Sequence, residues 1–177
     1  MKKLVQASAL IAGMITTGAV FAATQGTVGG ISTGDITVSV TVTDEVRISS
    51  LDDLGGTFTG VDIVDTDQLC VYRNGSGNYN ITATGTGGGA FQIANGGTSI
   101  PFTLGLNDDT LGGPFTGLTS GVTLIGQNTS ETAADDCGVG GGGVDTAEVE
   151  VTILATDMLT LPAGAATGLL ILTVGPE

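Results

Sequence analysis

From Asp35 to Thr43 the chain reads Asp-Ile-Thr-Val-Ser-Val-Thr-Val-Thr. In an extended backbone Ile36, Val38, Val40 and Val42 share one face, and Thr37, Ser39, Thr41 and Thr43 share the other. Strict alternation of β-branched aliphatics with small hydroxyls cannot make a helical stripe; it specifies a half-buried strand. Shorter runs of the same kind recur at Leu69–Tyr72, Tyr79–Thr84, Ile100–Leu106, Val122–Ile125, Val149–Leu154 and Leu169–Val174. The last is apolar on both faces, which predicts a central strand. Clusters such as Asn74-Gly75-Ser76-Gly77-Asn78, Asn95-Gly96-Gly97 and Gly138–Gly143 separate the runs and supply the positive φ that tight turns need. Helical periodicity is confined to one turn at Thr156–Leu161. The expected fold class is all-β, an antiparallel β-sandwich.

The N-terminus narrows the compartment. Lys2 and Lys3 precede an uncharged apolar run, Leu4–Val20, and Val20-Phe21-Ala22 places small residues at the −3 and −1 positions of a cleavage site. This is the pattern of a secretory signal peptide cleaved after Ala22. The chain then divides into a signal peptide (1–22), an N-terminal arm (23–34) and one β domain (35–177), secreted or displayed at the cell surface through a periplasm. No second apolar stretch reaches the roughly 20 residues a membrane-spanning helix needs. Removing the signal leaves only Arg47 and Arg73 against 18 acidic residues, with no lysine and no histidine. That excludes a Ser-His-Asp triad, histidine-ligated zinc, a P-loop and a Schiff base. It also predicts repulsion from nucleic acid. The expectation is a non-enzyme that needs no cofactor. Cys70 and Cys137 are the only cysteines, and in an exported chain an even count reads as one disulfide. A loop of that length contributes roughly 4 kcal/mol in the chain-entropy view.

Acidic residues cluster at Asp44-Glu45, Asp52-Asp53, Asp108-Asp109 and Asp135-Asp136, and at Asp62, Asp65 and Asp67. The last three are the weak candidates for calcium, which takes 6–8 oxygen ligands. Gly140-Gly141-Gly142-Gly143-Val144-Asp145 matches a calcium-binding nonapeptide repeat, but only once. Solvated loop acids are the plainer account. A carboxylate pair could also serve a glycosidase, yet the chain has no Trp and only two Tyr to stack on a sugar.

Leu69-Cys70-Val71-Tyr72, a Gly/Asn turn and then Gly77-Asn78-Tyr79-Asn80-Ile81-Thr82-Ala83 resemble the core of spore coat protein U-like domains. Phe91–Gly96 followed by Ile100–Leu104 is similar to that family's next hairpin, and Pro162–Val174 to its closing strand. The resemblance spans about Asp35 to Glu177. It implies an immunoglobulin-like sandwich lacking one strand, serving as a subunit of an archaic chaperone–usher pilus (fimbrium) or coat. It further implies a periplasmic chaperone and an outer-membrane usher as partners, and self-association by strand addition. On this reading the arm residues Val28 and Ile31 are donors, and Leu169, Leu170, Ile171, Leu172 and Val174 line the acceptor groove. Ala166 and Phe102 depart from the family pattern, which favours tyrosine at both positions. Val28 and Ile31, three apart, face opposite sides of a strand, whereas Asp35–Thr43 has the better donor pattern and could extend the arm. The alternative from a different class is a monomeric secreted β-sandwich binding a ligand or calcium through its acidic loops.

Overall fold

The computed structural model describes residues 24–75, 77–86, 89–108, 112–128 and 145–177. The signal peptide, Cys137 and the Gly138–Gly143 cluster lie outside them. The chain divides into two units, one ending at Val42 and the other running from Thr43 to Glu177.

The regular structure of the larger unit, among its described residues, is almost all antiparallel strand. A five-stranded sheet has the order β1-β2-β9-β6-β7, formed by β1 (Val46–Ser49), β2 (Ile63–Arg73), β9 (Ala147–Ile153), β6 (Thr103–Asn107) and β7 (Thr116–Leu118). A three-stranded sheet has the order β10-β3-β8, from β10 (Ile171–Pro176), β3 (Tyr79–Thr84) and β8 (Thr123–Gln127). β4 (Gln92–Asn95) and β5 (Thr98–Pro101) form a separate hairpin. Its turn is Gly96-Gly97, both at positive φ (58° and 86°), which only glycine adopts without strain. Among the described residues there is one α-helical turn, α1 (Ala155–Met158), which overlaps the expected Thr156–Leu161 turn but starts one residue earlier and ends three earlier.

Alternation explains what each sheet buries. In β3 Tyr79, Ile81 and Ala83 point inward, while Asn80, Thr82 and Thr84 point out. Register sets Leu172 of β10 opposite Ala83 and Val174 opposite Ile81. In the larger sheet Leu69 faces Ala147 across the β2–β9 ladder, and Leu104 and Leu106 of β6 face Val151 and Val149. These side chains from both sheets belong to one buried cluster, extended by Phe91, Ile100 and Phe102. The Phe91 and Phe102 rings stack with centroids 5.5 Å apart. The Tyr79 hydroxyl is buried with no hydrogen-bond partner among the described residues, and burial pushes its pKa well above the ordinary value. Cys70 is fully buried in β2.

Three expectations change. The Asp35–Thr43 strand joins no sheet: Ile36, Val38, Val40 and Val42 are 76–85% exposed, and only Asp35 makes a bridge, to Thr24. The alternation encodes an amphipathic strand, but no strand of the described chain pairs with it. β2 begins six residues before the apolar run that signalled it, because Asp65 and Asp67 break the hydrophobic pattern inside the strand. The doubly apolar Leu169–Val174 run is not central; β10 is an edge, and Leu169 and Ile171 are exposed.

Candidate functional site

The 23–34 arm is not extended where it is described. Thr24 and Asp35 exchange both backbone hydrogen bonds at 3.0 Å, closing the intervening residues into a loop. Val28 and Ile31 sit in its bend, fully exposed. The segment of this unit with alternating aliphatics is instead Ile36–Val42, whose apolar side chains are exposed.

The residues that follow it, Thr43–Glu45, belong to the larger unit and are tied to the end of β2. Asn74 accepts from the Glu45 amide through Oδ1 (2.9 Å) and donates from Nδ2 to the Thr43 carbonyl (2.6 Å). Arg73, 5% exposed, donates to both Asp44 carboxylate oxygens, Nε to Oδ1 at 3.0 Å and Nη2 to Oδ2 at 2.5 Å. It also donates to the carbonyls of Asn78 and Glu177. The guanidinium holds the Asp44 carboxyl below the usual carboxylate range, and Asp44 raises Arg73 in turn. Bidentate pairing of this kind fixes geometry as well as charge.

The larger unit contains an apolar groove of about 920 Å³. One rim is the edge of β10 and the stretch before it, residues 165–172. The other is an irregular strap, residues 51–58, that leaves β1 at Ser50, whose φ is 60°. Ile63, Val149, Val151 and Ile153 form the floor, and Ile93, Phe102, Met158 and Leu161 also line it. No ladder among the described residues includes 50–62. Among the described residues no strand is hydrogen-bonded to β10 on its far side from β3. Thr167 on the first rim exchanges both backbone hydrogen bonds with Ala94 of β4, at 2.9 and 3.1 Å, so among the described residues the edges left unpaired beside the apolar floor are those of β10 itself and of the strap.

The strap is held by carboxylates. Asp65 and Asp67 occupy inward-facing positions of β2, opposite Val151 and Val149. Asp67 accepts from the Asp52 amide at 3.0 Å and Asp65 from the Gly55 amide at 2.8 Å. Leu54 packs on the core, and Gly56 passes so close to Ile63 that a Cβ there would lie 3.1 Å from its Cγ2. Asp62, the third calcium candidate, accepts from the Ala155 amide at the start of α1. All three carboxylates thus serve the backbone, and among the described residues no group of three or more His, Cys, Asp or Glu side chains could hold a metal. The loop reading of Asp65 and Asp67 is corrected: they belong to a strand. Nothing in the apolar pattern marked them as inward; only their two-residue spacing from Leu69 and Val71 carries that signal.

Burial pushes the Asp67 carboxyl up, its hydrogen bond from Asp52 opposes that, and the charges of Asp52, Asp145 and Asp65 add to the rise. A carboxyl raised in the folded state costs stability when ionised, so the native chain gains stability as pH falls through the Asp67 pKa. Asp67→Asn removes the charge and keeps an acceptor. Urea unfolding at pH 7 is expected to show the variant more stable by up to about 1 kcal/mol, with the difference vanishing on acidification. Equal stability at both pH values would refute this account of Asp67.

Among the described residues no helix is long and apolar enough to cross a membrane. Comparison with family models, with curated proteins and with solved structures finds no match.

Proposed function

We propose that this chain is an exported structural subunit of a cell-surface fibre or coat, assembled by strand addition. The Ile36–Val42 run of one copy completes the groove between the strap and β10 of the next. The observation that carries the reading is a double vacancy in pairing among the described residues: an exposed segment with the alternation of an amphipathic strand, and an apolar groove beside the unpaired edges of β10 and the strap. Exposed edges of that kind are a liability unless something covers them, and strand addition is the usual way an extended segment does so. Residues 35–43 span about 30 Å when extended and β10, six residues from Ile171 to Pro176, about 20 Å, so the segment is long enough to pair along all of β10. Addition beside β10 also makes it the interior strand that its doubly apolar sequence specifies.

The finer architecture belongs to the same proposal. It is an immunoglobulin-like sandwich lacking one strand, stapled by Cys70–Cys137, exported by the 1–22 signal peptide, shielded by a periplasmic chaperone and delivered by an outer-membrane usher. The calcium-binding alternative loses its motive, since Asp62, Asp65 and Asp67 each accept a backbone amide. The test is electrophoresis of the exported protein in SDS, unboiled beside boiled. Strand-added polymers are expected to run as a ladder that collapses to monomer on boiling, because release means pulling a buried strand out of a sheet. A single monomer band in both lanes sinks the proposal.

A further inference from the structure

We infer that Asp65 and Asp67 are positioning residues of the acceptor groove, holding the strap through its Asp52 and Gly55 amides so that its other edge stands free to pair with a strand from a second copy. The inference rests on the strand-addition reading and names what keeps the acceptor open. An apolar floor at Ile63, Val149 and Val151 favours collapse of any mobile wall onto it, since burying that surface is downhill. The strap has no backbone ladder to resist this. What it has are two amides captured by inward-facing carboxylates, at 3.0 and 2.8 Å. Two apolar residues at these β2 positions would complete the floor and leave those amides unpaired.

The same carboxylates fit the occupant. With Asp52 and Asp53 they make one rim acidic, which disfavours an acidic strand and admits an uncharged one. Between Asp35 and Asp44 the second copy offers eight uncharged residues with an aliphatic at every other position. Its own acids fall at the two ends, clear of the segment that enters.

The experiment uses the full chain carrying Val38→Asp and Val40→Asp, which cannot donate, and a fluorescent synthetic peptide of residues 35–43 as probe. Adding Asp65→Ala and Asp67→Ala is expected to weaken peptide binding about tenfold or more, the scale of losing charge-assisted hydrogen bonds. Adding Asp65→Asn and Asp67→Asn instead keeps acceptors in place and is expected to restore affinity to within about threefold. Ala variants that bind as tightly as the parent overturn the inference, as do Asn variants as weak as the Ala pair. Should the Ala pair fail to melt cooperatively, hydrogen exchange at the Gly55 amide of the parent decides. Protection supports the inference, and exchange at the unstructured rate overturns it. A parent that binds no peptide is a different failure: it sinks the strand-addition reading and takes this inference with it.

Discussion

Chains carrying Val38→Asp and Val40→Asp will run as monomer in unboiled SDS gels, and mixed into the unaltered protein they will shorten its ladder. Both side chains are more than 80% exposed within a single copy, so the substitutions change its folding stability by no more than about 0.5 kcal/mol. The same residues enter an apolar, acid-rimmed groove on assembly, where an added carboxylate must shed its water without a partner. The loss is one-sided. The altered chain keeps its groove and accepts an arm, but has none to offer, so it terminates growth. Face specificity sharpens the test. Thr37→Asp and Thr41→Asp lie on the opposite face of the segment and leave a ladder in place. Val28→Asp and Ile31→Asp, in the loop closed by Thr24 and Asp35, leave it unchanged. A ladder that survives the Val38/Val40 pair, or disappears with the Val28/Ile31 pair, moves the donor away from Ile36–Val42.

That test turns on a distinction between what alternation encodes and what it leaves open. Tyr79–Thr84 became β3 residue for residue, and Glu148–Ile153 was legible because Val149, Val151 and Ile153 alternate with polar side chains. The same logic expected a strand at Asp35–Thr43, where no ladder forms among the described residues. Periodicity fixes which face wants burial; it does not say whose surface provides it. β10 shows the complementary case, an apolar pattern on two faces with, among the described residues, a strand neighbour on one side only. β1 and β7, of four and three residues, carry too few alternations to register. The groove was half legible. Of the five residues expected at an acceptor groove, Leu169, Leu170 and Leu172 line this one and Ile171 and Val174 do not, while the strap was invisible: residues 51–58 have no periodicity, and their placement depends on two aspartates whose type argues against an inward position.

Supplying the missing strand within one chain should have the largest effect on stability. A second copy of residues 35–43, fused after Glu177 through a Gly/Ser linker of about twelve residues, reaches about 20 Å on average. Leu172, where β10 meets the groove, lies five residues before Glu177, or roughly 17 Å along the strand. The fused segment can therefore enter its own groove at high effective concentration and outcompete a neighbour's arm. Four aliphatic side chains gain about 1.5–3 kcal/mol each on burial, offset in large part by ordering the segment. A few kcal/mol remain, or roughly 10 °C in the melting temperature for a domain of this size. The fusion should melt about that much above the Val38→Asp/Val40→Asp monomer and run as a single unboiled band. It should also accept no added 35–43 peptide, since the one groove is filled. A control fusion with Val38 and Val40 of the added copy changed to Asp has the same length and linker without the apolar face, and should gain nothing. If both fusions melt alike, the groove does not select the alternating aliphatics. The pairing of Ile36–Val42 with β10 then fails on energetic grounds, whatever the gels show.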